Sequence, residues 1–108
     1  ATLIELTNPS AAFYGVGGAR IASQDGATLR LEPSGVLTVM SSVGEQGQGA
    51  EAIFAQIAAD AVGVAIDRVR VVTGDTDATP YGGGTWASRG AGIGGEADDP
   101  SIPDPGSL

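Results

Sequence analysis

The stretch GVLTVMSSVGEQGQGAEAIFAQIAADAVG, residues 35–63, constrains the fold of this chain most. Its first part, VLTVM at 36–40, is short, apolar and β-branched, and predicts a strand. Its last part predicts a helix over residues 50–62. Phe54, Ile57, Ala58, Ala61 and Val62 recur at i, i+3, i+4, i+7 and i+8 and make one apolar stripe. Gly63 stands where a helix C-terminus expects glycine, and Glu51 in the first turn suits the dipole. Between strand and helix the chain must turn through SSVGEQGQGAEA, which holds three glycines and two glutamines.

Two more strands flank this unit. In ATLRLE, residues 27–32, Ala27, Leu29 and Leu31 alternate with Thr28, Arg30 and Glu32, the pattern of a half-buried strand. PSG at 33–35 is turn chemistry, so this strand and the next form a hairpin. RVRVV at 68–72 alternates again. The order β-β-α-β predicts a single small α+β domain, with one helix packed on a small sheet and glycine-rich loops. Residues 1–18 carry Pro9 and several glycines and read as irregular, and 82–95 read as glycine-rich loop. The domain is expected to span 1–97, followed by a flexible, acidic, proline-rich tail over 98–108, DPSIPDPGSL after Asp98.

Composition removes whole classes of chemistry. The net charge is −8, with five arginines and no lysine or histidine. Nucleic acid and anionic membrane surfaces want basic patches, so neither is an expected partner. Without cysteine or histidine there is no disulfide, zinc–thiolate site, iron–sulfur cluster or Ser-His-Asp triad within the chain. No apolar run approaches membrane-spanning length and no basic-then-apolar leader is present, so a cytoplasmic location is expected. The 42% apolar content suffices for a modest core.

Two stretches have the chemistry of a site. In GEQGQG, glycines 44, 47 and 49 miss the spacing of a dinucleotide fingerprint, and no lysine follows for a P-loop. What remains is a corner that lets backbone approach a ligand, next to a helix start with free N–H groups. Gln46 and Gln48 each offer a donor and an acceptor, which suits a flat, heteroatom-rich molecule better than a bare phosphate. The same residues are also compatible with a tight turn carrying solvated glutamines. The second stretch is GDTDATPYGGGTWASRG, residues 74–90. Asp75 and Asp77 read as turn residues, because no further carboxylates follow at calcium-loop spacing. Trp86 in a glycine loop is either a core plug or a pocket wall. Ser88 and Arg89 are a pair able to hold an anion.

GEQGQGAEAIFAQIAADAVGV followed by RVRVVTGDTDATPYGGGTWASRG resembles the molybdopterin-binding large subunit of the xanthine dehydrogenase, aldehyde oxidoreductase and carbon monoxide dehydrogenase family. The resemblance is densest from Val36 to Gly95. It implies that Gln48, flanked by Gly47 and Gly49, contacts the pterin of a molybdopterin-type molybdenum cofactor. It further implies that Thr85, Trp86, Ala87, Ser88 and Arg89 line the cofactor, with Ser88 bonding it and Trp86 and Ala87 facing the metal side. The family's general base is a glutamate in a Gly-x-Gly-Glu context. GIGGEA, ending in Glu96, imitates it with an extra glycine and too close to the preceding loop, so no catalytic residue and no metal ligand are assigned to this chain.

The chain is therefore expected to be a piece of a molybdenum hydroxylase large subunit, contributing pterin contacts. By the resemblance its partners are the remainder of that subunit and the iron–sulfur and flavin subunits that carry electrons onward. Alone, the chain is expected to bind cofactor weakly or not at all and to be inactive. The other readings are a small α+β interaction or assembly module without cofactor, and a binder of some other planar heterocycle at the same corner.

Overall fold

The computed structural model describes residues 1–3 and 25–95. The expected irregular segment up to residue 18 and the expected tail over 98–108 lie largely or wholly outside these residues, as does Glu96. Among the described residues, three strands and one α-helix form the sheet and its crossover: β1 (Ala27–Leu31), β2 (Leu37–Ser41), α1 (Ala50–Val62) and β3 (Val69–Val72). The α+β order read from the sequence is the observed one.

β1 and β2 pair antiparallel, with Ala27 opposite Ser41 and Leu31 opposite Leu37. The turn between them is closed by Gly35 N–H to Glu32 O at 2.8 Å and by Glu32 N–H to Val36 O at 2.9 Å. β3 pairs parallel to β2, in the register Leu37–Val69 to Met40–Val72. Two parallel neighbours cannot be joined by a tight turn. The crossover here is α1 plus a short 3₁₀ turn, Ile66–Arg68. β2 is thus the central strand, and Leu37, Thr38, Val39 and Ser41 are all buried. β1 keeps its alternation, although Leu31 at its end is 57% exposed.

The helix spans the residues its periodicity predicts, but the buried stripe is turned. Ala50, Phe54, Ala58 and Ala59 are buried, Ile57 and Val62 are half-buried, and Ala61 faces solvent. Phe54 joins Val43 and Ala50, with Ile53 and Val71 against them. Ala58 joins Leu37 and Val39, with Leu29, Val62 and Val69 around them. A three-stranded sheet is narrow, and the i, i+4, i+8 row of Ala50, Phe54 and Ala58 is enough to cover it. Ile57 turns instead toward a second neighbour. That neighbour is a π-helical turn, Gly90–Gly94, in part of what the sequence predicts to be loop. It packs so closely on α1 that a Cβ on Gly94 would lie 2.8 Å from Val43 and 3.1 Å from Phe54, and one on Gly95 would lie 2.8 Å from Ile57. The glycines that suggest a loose loop are what allow a close approach of backbone to helix.

α1 ends as its sequence predicts. Gly63 adopts φ 77° and donates its N–H to Ala59 O at 2.9 Å. Among the described residues no helix is long and apolar enough to cross a membrane.

Candidate functional site

The corner between β2 and α1 and the segment 82–89 are some forty residues apart, yet they meet. Thr85 Oγ1 donates to Gly44 O at 2.5 Å, and Gln46 Nε2 reaches Thr85 O at 3.5 Å. The parallel placement of β3 beside β2 brings both chain segments to the same end of the sheet, the usual position for sites in layered α/β structures.

Within the corner, Gln48 folds back on its own loop. Its Oε1 accepts from Gln46 N at 2.6 Å and its Nε2 donates to Gly44 O at 3.2 Å. Gly47 and Gly49 take φ 90° and 83°, a left-handed backbone that a side chain would strain. The helix start is partly covered, because one of the first-turn N–H groups that the sequence suggests are free, that of Glu51, is bonded to Glu45. The Glu45 carboxylate accepts from Gly47 N (2.7 Å), Gly49 N (3.1 Å) and Gln46 N (3.1 Å) through Oε1, and from Glu51 N (3.0 Å) through Oε2. Hydrogen bonds from the backbone, that of Glu51 foremost, hold its carboxyl below the ordinary value of 4.5, against an opposing effect of desolvation. A lowered folded-state value means that the ionised cap contributes stability above about pH 4.5, and that this is lost as pH falls through the lower folded-state value. Glu45→Gln should therefore cost stability at pH 7 and nothing further in acid. Chemical denaturation of both proteins at pH 7 and pH 3 checks this, and an equal gap at the two pH values would contradict it.

The second segment is anchored by a buried ion pair that no local sequence pattern announces. Arg89 Nη2 lies 2.6 Å from Asp25 Oδ2, and both side chains are fully buried. The two groups are close enough to pair as ions but are not aligned as a hydrogen bond, and Arg89 Nε also has no acceptor. Arg89 Nη1 donates to Gly84 O at 2.6 Å. Asp25 Oδ1 accepts from Ser42 Oγ at 2.9 Å and from Gly83 N at 3.1 Å. One carboxylate thus ties the entry to β1, the exit of β2 and the glycine segment together. Gly82 fits this junction only without a side chain, because a Cβ there would overlap Ser42 Oγ.

The remaining residues singled out in the sequence can now be placed. Trp86 is half-buried, with Nε1 donating to Gly83 O at 3.0 Å. Its ring lies 5.2 Å from the Arg89 guanidinium carbon, within cation–π range. Ala87 and Ser88 have φ 50° and 55°, and Ser88 is exposed. Left-handed backbone at two adjacent non-glycine residues costs free energy and persists only where surroundings enforce it. Here Arg89, anchored on Asp25, follows directly. The Ser88–Arg89 anion holder suggested by sequence has a different geometry, since the guanidinium points inward to Asp25. Asp75 forms a turn, with Oδ1 accepting from Asp77 N at 3.0 Å. Among the described residues there is no group of three or more His, Cys, Asp or Glu side chains able to hold a metal ion.

A cleft of about 340 Å³ opens beside the junction, lined by Ser42, Gly44, Thr76, Thr79, Tyr81 and Gly82. That volume is at the low end for small-molecule sites. Gly47–Gly49 and Thr85–Arg89 are not part of its lining. The contact between the two segments, Thr85 Oγ1 to Gly44 O, adjoins the cleft at Gly44.

A helix thus crosses between two parallel strands, and two glycine-bearing segments join at one end of the sheet. The chain belongs to the molybdopterin cofactor-binding domain family, whose model matches residues 7–98. It is 46% identical over 65 residues to the xanthine dehydrogenase molybdenum-binding subunit of Escherichia coli O157:H7, covering 59% of this chain and 9% of that protein. It is 34% identical over 92 residues to the nicotine 6-hydroxylase large subunit of Paenarthrobacter nicotinovorans, covering 85% and 11%. In structure it is similar to quinoline 2-oxidoreductase from Pseudomonas putida 86, with a TM-score of 0.70 at 39% identity, covering 87% of this chain and 12% of that one. The chain thus spans about a tenth of the length of these relatives.

Proposed function

We propose that this chain forms one wall of the molybdopterin cofactor site in the large subunit of a molybdenum hydroxylase. The observation that carries the reading is the junction of the two segments through Thr85 Oγ1–Gly44 O and Gln46 Nε2–Thr85 O. It sets the Gln46 amide against Thr85, and the same two segments also carry the Gln48 amide and the Thr85 and Ser88 hydroxyls. This donor set is neutral and mixes donors with acceptors, as a pterin ring requires. On these residue types we assign the chain to the ring end of the cofactor.

When bound, the cofactor supplies two-electron chemistry at molybdenum. The residues of this chain bind and orient. Gly47, Gln48 and Gly49 bring backbone and an amide to the ring. Thr85, Trp86, Ala87 and Ser88 present the opposite edge. Arg89 acts one step removed, by holding the turn at Ala87 and Ser88 against Asp25. The general base, the substrate pocket, and the iron–sulfur and flavin partners belong to other parts of the assembly. In a large subunit built around this sequence, Gln48→Ala is expected to lower molybdenum content per protomer and turnover together. Metal analysis alongside steady-state rates checks this, and unchanged values of both would overturn the reading.

A further inference from the structure

The two faces of the sheet carry different chemistry. Leu37 and Val39 pack on α1 through Ala58, so Thr38 between them belongs to the opposite face. The register sets Arg30 of β1 on one side of Thr38 and Arg70 of β3 on the other. Residues directly opposite across a ladder share a face, so the three form one row, with the two arginine Cα atoms about 10 Å apart across two strand spacings. The next row is Thr28, Met40 and Val72. Thr38 is buried, Met40 and Val72 are half-buried, and both arginines are exposed. Arg68, two positions ahead of Arg70 at the entry to β3, is exposed as well.

The chain carries a net charge of −8, yet its exposed cations gather here. Among the described residues the arginines are 30, 68, 70 and 89, and Arg89 is buried against Asp25. The ion pairs among the described residues are Arg30–Glu32 and Arg89–Asp25, so Arg68 and Arg70 take part in none. The Arg30–Glu32 pair is 66% and 40% exposed, and a pair of that kind contributes little and exchanges readily. Of the exposed carboxylates, Glu51 and Asp60 stand on α1, Asp75 and Asp77 lie beyond β3, and Asp67 adjoins Arg68.

We propose that this face of the sheet is an interaction surface for an acidic polypeptide segment, supplied by the remainder of the large subunit. Met40 and Val72 offer apolar contact, and Arg30 and Arg70 flank the adjoining row with planar guanidinium forks that pair bidentately with carboxylates. Arginine and methionine are enriched at protein interfaces and lysine is depleted there; this chain has five arginines and no lysine. It spans about a tenth of the length of its relatives, so nine tenths of such a subunit is available to cover the face. A nucleic acid or an anionic membrane is disfavoured, because a few cations on a chain of this net charge give no long-range attraction to a polyanion. That the segment belongs to a large subunit rests on the molybdopterin reading above. The exposure and charge of the face do not, and none of its residues belongs to the glycine corner or to 82–89.

Arginine-selective modification by phenylglyoxal, followed by mass spectrometry, tests the proposal without any substitution. In the isolated chain Arg30, Arg68 and Arg70 should react and buried Arg89 should resist. In a large subunit built around this sequence, Arg30 and Arg70 should react at least about tenfold more slowly, as expected of a face that is covered most of the time. Equal reactivity in the two settings would overturn the proposal. Charge is tested with Arg70→Gln and Arg70→Glu, both at an exposed position. In the large subunit the Glu variant should unfold at a lower urea midpoint than the Gln variant, by a wider gap than in the isolated chain. Protection combined with the same gap in both settings would mean that no acidic group faces Arg70, and would overturn the proposal too. The molybdenum content of the Gln48→Ala subunit decides the cofactor reading separately.

Discussion

Arg89→Met should destabilise the chain by about 3–5 kcal/mol, the cost of leaving one member of a buried ion pair without its partner. The stranded group is Asp25, whose side chain is fully buried against the guanidinium. Its Oδ1 would keep the bonds from Ser42 and Gly83, but Oδ2 would face no positive charge. Gly84 O would lose its donor, and the Trp86 ring its cation. Denaturant midpoints of the two proteins check the magnitude. A second comparison separates charge from packing. Asp25→Leu combined with Arg89→Met removes both charges, and should recover a large share of the loss, because isosteric apolar pairs often replace buried ion pairs without cost. If the double variant is as unstable as Arg89→Met, the loss stems from the shape of the junction and not from an unpaired carboxylate. A loss under about 1 kcal/mol in the single variant would mean that water reaches the pair.

Phe54→Ala is the second large effect, at about 3–5 kcal/mol. Phe54 is fully buried and contacts elements on both sides of α1. It packs with Val43, Ala50, Ile53 and Val71 toward the sheet, and its ring edge lies 3.1 Å from where a Cβ of Gly94 would stand. Removing the ring leaves a cavity at the point where helix, sheet and π-helical turn meet. The same variant should loosen the turn Gly90–Gly94, which lies against that ring. Thermal or urea unfolding gives the first quantity, and amide exchange at 90–94 gives the second. A measured cost below 1 kcal/mol would contradict the packing described.

Several parts of the fold were legible residue by residue. The helix at 50–62 follows from its periodicity and from Gly63, and each strand is found within one residue of its expected limits. The stripe was read with one error of consequence, at Ala61. An apolar residue next to the predicted face need not be buried, because the sheet is only three strands wide and covers a narrower arc of the helix than the sequence offers. The segment at 90–94 was read as loop for a related reason. Glycine lowers helical propensity in isolation, but here it permits contact with Val43, Phe54 and Ile57 that larger residues would prevent.

The candidate site divides in the same way. Its residue types, two glutamine amides at a glycine corner and a Thr-Trp-Ala-Ser-Arg run, stand in the sequence, and so does the resemblance that points to a pterin. Glu45 lies ahead of the N-cap Gly49, outside the positions where a capping pattern is read, so its bonds follow from how the loop folds. Asp25 had no local signal. Its partner is 64 positions away, and nothing in ASQDGAT distinguishes a buried aspartate from a turn residue.

By itself, then, the sequence determined what is short-range. Periodicity selects strand or helix, glycine marks where the backbone must bend or come close, and the absence of histidine and cysteine removes whole chemistries. Tertiary structure alone decided which of these pieces act together. The parallel pairing of β3 with β2 carries residues 82–89 back to the glycine corner, and burial makes Asp25 the counter-charge of Arg89. Hydrogen bonds and ion pairs reach only a few ångströms, so their partners are chosen by where the chain returns in space, and that is a property of the whole packed sheet and helix.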